Sequence, residues 1–285
     1  MNRQEFRFLH PLRVRWVEVD LQKIVFNGHY LMYLDTAMGD YWRAIALPYQ
    51  DTIHDLGGDL YVVKSGLTYK ASAEYDDLLH VGLRCARIGT SSIQFEAGIF
   101  RGQQLLVQGE LVYVYANPDT KTSLPVPQAL RDTMLGFEQA EPMTTLSLGI
   151  WAELKADAAP LRNQVFVQEQ GVPQAMEWDE FDEHCIHAVL RNRLGRTIAT
   201  GRLLPAVDGV AKLGRMAVLR PMRGQRFGDL VLAGLLQAAK ARGDKAVLLH
   251  AQCSAEKFYA RQGFTTQGAV FQEAGMDHVE MVITL

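Results

Sequence analysis

The sequence predicts an α+β protein built as two domains, and three observations carry that expectation. The chain has 285 residues, more than one ordinary core accommodates, and suits two domains of about 140 residues each. Residues 30–45 repeat apolar side chains at the helical period, and alternating segments follow from 60 to 115. Past residue 148 the pattern changes to interleaved helices and strands. A long helix followed by a strand meander describes a helix packed on one antiparallel sheet.

Residues 6–19 read as an extended segment with Val14, Trp16 and Glu18 on one face, ended by Asp20. Asn27 stands as the N-cap of a helix. On it Tyr30, Leu34, Ala37, Met38, Tyr41 and Ile45 share a face, with Asp35, Thr36, Asp40 and Arg43 opposite. Leu47-Pro48 ends it. Strands follow at 60–70, 78–88, 93–99 and 104–115, with a turn at Arg101-Gly102. In the second of these Val81, Leu83 and Cys85 alternate with His80, Gly82 and Arg84. A loop at 117–127 leads into a short helix over 127–137. Residues 1–138 thus form the first domain. Residues 139–148 lack a period, carry Pro142 and read as a linker. The second domain, 149–285, reads as a helix near 158–169, strands near 185–192, 196–204 and 210–219, and a helix over 228–242. A strand at 246–251, a helix at 254–262 and final strands complete it.

A composition of 48% hydrophobic and 21% charged residues excludes a disordered or collagen-like chain. The formal charge of −3 argues against nucleic acid or an anionic membrane as the main partner. No stretch approaches 18 uninterrupted apolar residues and the N-terminus has no apolar leader core, so a cytoplasmic location without membrane attachment is expected. Cys85, Cys185 and Cys253 are widely spaced and form no CxxC pair. They read as free thiols, and no metal site is expected.

Two stretches carry chemistry. In EVDLQKIVFNGHY (18–30) an acid precedes a helix start by seven residues. A helix N-terminus offers unpaired N–H groups that can hold developing negative charge on a carbonyl oxygen, and a nearby carboxylate can attack that carbonyl or activate water. On spacing alone Asp20 reads equally as a strand end and Asn27 as a plain cap. RVRWVEVDLQKIVFNGHYLMYLDTA (13–37), with the strands DLLHVGLRCARIGTSSIQFEAGIF and the helix LPVPQALRD, resembles the 4-hydroxybenzoyl-CoA thioesterase type of hotdog-fold acyl-CoA hydrolases. The resemblance implies Asp20 as the catalytic carboxylate, Asn27 as the backbone donor to the thioester carbonyl, and a homodimer. Gln22-Lys23 and His29 replace the small residues usual at those positions, and Lys23 would either tune the site or close it.

The second stretch is RMAVLRPMRGQRFG (215–228), a strand, then a turn rich in Arg and Gly, then an amphipathic helix, which suits a phosphate. Together with AEKFYARQGF (255–264) and LRNQVFVQEQGVP (161–173) it resembles the GNAT N-acetyltransferase superfamily, an α/β fold with a mixed sheet. The resemblance implies acetyl-CoA held by Met216, Val218, Arg223, Gly224, Gln225, Arg226, Phe227 and Gly228, an amine acceptor, and Tyr259 protonating the departing thiolate. Arg226 departs from the motif's middle glycine. The plainer reading of Tyr259 is a core aromatic like Phe258. Cys253 reads as packing under the site. Glu169, Glu177, Asp179, Asp182 and His187 are all open as the base, and His187 reads equally well as a satisfied strand histidine.

Overall fold

The structure is a computed structural model that describes all 285 residues. The chain divides into two compact units, Met1–Met143 and Thr144–Leu285. No helix is long and apolar enough to cross a membrane.

The first unit runs β1 (Phe8–Arg13), α1 (His29–Ala44), α2 (Tyr49–Asp55), β2 (Asp59–Tyr69), β3 (Leu78–Ile88), β4 (Ser92–Arg101), β5 (Gln104–Ala116) and α3 (Gln128–Glu138). The strands form one antiparallel sheet in the order β1-β3-β4-β5-β2. α1 buries the face its period assigned, including Tyr30, Leu34, Ala37, Met38 and Tyr41. It sits close on the sheet because Gly109 has no side chain: a Cβ there would stand 3.0 Å from Leu34 and 3.2 Å from Ala97. Tyr41 meets Phe8, Phe95 and Phe137 edge-on. Its hydroxyl donates to Glu138, which also accepts the Cys85 N–H. The polar tip is therefore satisfied inside an apolar core.

Three local readings change. The extended segment stops at Arg13, and Trp16–Glu18 form a 3₁₀ turn. The Glu18 carboxylate accepts the Arg15 N–H at 2.7 Å, closing that turn, so Asp20 ends no strand. Gly28, not Asn27, occupies the cap position of α1. The Leu47-Pro48 step also starts a helix, because the proline carbonyl accepts the Thr52 N–H and a proline at a helix entry sacrifices no bond.

The second unit runs β6 (Thr144–Gly149), α4 (Trp151–Arg162), a π-helical stretch Asn163–Glu169, α5 (Gln174–Glu177), β7 (Ile186–Asn192), β8 (Thr197–Leu203), β9 (Val210–Val218), α6 (Phe227–Arg242), β10 (Ala246–Gln252), α7 (Glu256–Ala260), β11 (Thr265–Glu273) and β12 (Met276–Thr284). The sheet order is β11-β12-β10-β9-β8-β7-β6, with β9 and β10 parallel and all other pairs antiparallel. Half of the segment read as a linker is therefore strand: β6 pairs with β7 from Thr144↔Asn192 to Gly149↔His187. The first helix starts at Trp151 rather than near 158. The wide turns over 163–169 break the 3.6-residue period that would have joined it to its continuation. Leu154 and Ala158 of α4 pack on Val189, while α6 lies on the opposite face, where Gly201 leaves room for Val231 and Leu235.

One feature of this sheet positions the site. β9 and β10 pair only from Val210↔Ala246 to Leu213↔Leu249. Beyond that, β9 stays with β8 and β10 with β12, and the two strands part as a wedge. A bulge between Thr200 and Arg202 in the β8 pairing, with Arg215 at φ +51°, bends β9 away.

Candidate functional site

In the first unit the chain doubles back between Asp20 and α1. The Asp20 N–H donates to the Ile24 carbonyl, and the Asp20 carbonyl accepts the Lys23 N–H, each at 2.9 Å. Its carboxylate accepts the Gln22 N–H at 2.8 Å. Val19 then bridges Val25 and the Phe26 N–H reaches the Glu18 carbonyl, which brings Asn27-Gly28 beside the Glu18–Asp20 segment. The N–H groups of Asn27 and Gly28 have no acceptor within the chain. Lys23 lies at φ +65°, is exposed, and forms no ion pair with Asp20. Around this loop Trp16, Val17, Leu21 and Phe26 stand exposed, an apolar collar unusual for free surface.

Glu18, read from the sequence only as a strand residue, is 2% exposed. Burial opposes its charge. The Arg15 N–H, the Tyr33 hydroxyl at 2.8 Å and the Arg15 guanidinium outweigh that and hold its carboxyl below the ordinary range. Burial and this same bond push the Tyr33 hydroxyl well up. Asp20 is thus carried on a turn clamped to α1 by a buried carboxylate. Its neighbour His29 has a buried Nδ1 without a partner.

In the second unit the loop between β9 and α6 leaves its backbone unpaired. None of the N–H groups from Gly224 through Gly228 has an acceptor within the chain. Gly224 lies at φ +83° and Arg226 at φ +64°, on either side of Gln225, leaving successive unpaired N–H groups at the start of a 16-residue helix, an arrangement able to hold an anion. The arginine side chains are engaged elsewhere. Arg223 forks onto Glu169 at 2.6 and 2.8 Å and donates to the Val218 carbonyl, and Arg226 pairs with Asp229. The Arg223 side chain thereby ties the loop to the π-helical stretch.

The wedge opens on a cavity of about 380 Å³ whose lining includes Phe166, Gln170, Met216, His250 and Tyr259. The Tyr259 hydroxyl is pushed up to about 12 by burial, so it keeps its proton at neutral pH. Glu177, Asp179, Arg202 and Arg215 also line the cavity and belong to a largely buried ionic network. Arg162, 1% exposed and stacked between Trp151 and Trp178, binds Glu177 and Asp182. Arg202 binds Asp179 and Asp182, and Arg215 binds Glu177 and Asp179. Three guanidinium groups thus face three carboxylates, and His187 Nε2 contacts the Asp182 carbonyl at 2.9 Å beneath Trp151. All five sequence candidates for the base are therefore engaged: four carboxylates by arginines, and His187 in the core. His250, at an ordinary alternate position of the strand AVLLHAQ, was not singled out. The only sequence signal was a polar residue breaking that apolar run.

The family model described as "Acetyltransferase (GNAT) domain" matches residues 154–285, and "Thioesterase superfamily" matches residues 22–108. Uncharacterized protein YyaT of Bacillus subtilis (strain 168) is 35% identical over 128 residues, 44% of this chain and 85% of that protein. Uncharacterized N-acetyltransferase YjcF of the same organism is 33% identical over 127 residues, 44% of this chain and 89% of that protein. Slr0204, a 1,4-dihydroxy-2-naphthoyl-CoA thioesterase from Synechocystis, superposes with a TM-score of 0.42 at 20% identity, covering 45% of this chain and 95% of that one. The chain belongs to the GNAT acetyltransferase family through its second unit, and its first unit matches the thioesterase superfamily. Both families use acyl-CoA thioesters as substrates.

Proposed function

We propose that the chain is a bifunctional cytoplasmic acyl-CoA enzyme, hydrolysing a thioester in its first unit and transferring an acetyl group to a small amine in its second. The observation that carries this reading is the run of unpaired N–H groups from Gly224 to Gly228, which ends at the wedge between β9 and β10. A pyrophosphate on that nest sends the pantetheine arm along Met216 and Val218 into the cavity, where Tyr259 meets the thioester sulfur. The cavity volume suits a small molecule or a single side chain as acceptor. In the first unit Asp20 activates water or attacks the carbonyl directly, and the Asn27 N–H steadies the oxyanion. The test is thiol release from a panel of acyl-CoAs with and without added amines. Tyr259→Phe should lower amine-dependent release by about 100-fold and leave the KM for acetyl-CoA unchanged. Equal rates in variant and parent would remove the general-acid role.

A homodimer through the first unit is part of this reading. β2 is an edge strand with one side of its backbone unpaired, and Val62, Val63 and Tyr69 are exposed on it. Long apolar edges are covered by a partner or blunted by charge. Val63→Lys should convert a dimer to a monomer in sedimentation velocity. A parent chain that sediments as a monomer would contradict the pairing.

A further inference from the structure

Acetyl transfer needs a group that takes a proton from the acceptor ammonium, and every acid named from the sequence is already ion-paired. We infer that His250 is the catalytic base of the second unit and that Glu273 is its positioning residue; this rests on the acetyltransferase reading above. His250 lies on β10 and lines the same cavity as Tyr259 and Met216. Its Nδ1 stands 2.8 Å from Glu273 Oε2. A carboxylate only accepts, so Nδ1 carries the hydrogen of the neutral ring and Nε2 keeps its lone pair. Phe271 meets the ring edge-on with centroids 4.9 Å apart and fixes its plane. Glu273 is delivered by a tight hairpin: Ala274 and Gly275 both have positive φ, the signature of a two-residue turn that locks the register Glu273↔Met276. Burial works against the charge of Glu273, and the bond to His250 together with the electrostatic pull of His250, Lys212 and His278 outweighs it, leaving that carboxyl below its ordinary range.

The surroundings suit a cationic substrate. Facing the ring are Lys212 from β9, Glu273 from β11, and Glu280 and His278 from β12. His278 is held apart by Phe271, on which it stacks, and its Nδ1 contacts the Met276 carbonyl. Glu280 lies 3.8 Å from Nε2, and the Lys212 ammonium stands 3.3 Å from Nδ1 and 3.5 Å from Nε2. A primary ammonium is thus already accommodated beside the ring, and Glu280 adds a carboxylate on its Nε2 side.

The steps balance. Nε2 takes one proton from the acceptor ammonium, and the freed amine nitrogen attacks the thioester carbonyl carbon. The C–N bond forms, the C–S bond breaks and its electron pair goes to sulfur. Tyr259 gives its hydroxyl proton to the thiolate and recovers one from the new amide nitrogen. His250 releases its proton to solvent, so amide and free thiol are the products.

Nitrogen-15 histidine NMR on the full chain tests the geometry without an acceptor. His250 should show a protonated Nδ1 and a bare Nε2, and Glu273→Gln should weaken that preference. The opposite tautomer in the parent chain overturns the proposal. With spermidine and acetyl-CoA as probes, His250→Gln should lower kcat/KM by about 100-fold and remove the acidic limb of the pH profile. Glu273→Gln should lower kcat and leave the KM for acetyl-CoA unchanged. A His250→Gln chain within threefold of the parent and with the same limb also overturns it. Should the parent leave spermidine unacetylated, the tautomer alone decides. Calorimetry with coenzyme A separates the two readings: absence of binding to parent and His250→Gln alike counts against the acetyltransferase reading, whereas retained binding with unchanged transfer counts against His250.

Discussion

Replacing Asp20 with asparagine should lower acyl-CoA hydrolysis by about 10²–10⁴-fold in kcat, the range a positioned proton-transfer group supplies. The substitution is informative because of how Asp20 is held. Asn Oδ1 can still accept the Gln22 N–H, so the turn from Asp20 to Ile24 survives and only the charge is lost. Asp20→Ala removes both, and any fall in stability it adds beyond the asparagine variant measures the turn. Calorimetric affinity for coenzyme A should match the parent in both. Hydrolysis within threefold of the parent would leave the first unit as a dimerising or acyl-CoA-binding module.

The second large effect is on stability. Arg162→Ala leaves Glu177 and Asp182 buried with one arginine each, Arg215 and Arg202, and opens the space between Trp151 and Trp178. Removing one member of a buried charge network costs about 3–5 kcal/mol, a large share of the 5–15 kcal/mol that holds a typical domain. For a unit of this size that is a fall of about 10–20 °C in the unfolding midpoint. Arg162→Lys should recover little, because a point ammonium cannot serve two carboxylates and a carbonyl while filling an aromatic slot. A shift below about 3 °C in differential scanning calorimetry would mean the network is relieved by water.

The network was invisible in the sequence for a definite reason. Arg162 belongs to a helix pattern, Glu177 and Asp182 to a polar stretch, and Arg202 and Arg215 to strands; only the sheet brings them together. Periodicity, by contrast, is local, so the buried face of α1 and the alternation of β3 and β4 were legible residue by residue. Local bonds in irregular chain were not. The Asp20 turn depends on a carboxylate bonding an N–H two residues on, and Glu18 depends on Tyr33 of α1. In the second unit the turn at 223–228 before a helix was legible in the sequence, but the ion-pair partners of its arginines were not. Glu169 competes for the guanidinium of Arg223, and no pattern within the loop discloses that partner.

Arg226 carries a consequence for how such loops are recognised. Its motif position calls for glycine, yet the residue sits at φ +64° and its side chain turns out to Asp229. What a ligand would meet there is the sign of a backbone dihedral. Glycine is only the cheapest way to encode it, and an arginine held from outside encodes it too, at a cost of about 1 kcal/mol. Counting glycines therefore undercounts nests. A search keyed to handedness along the chain would find this loop where a search keyed to residue letters passes over it.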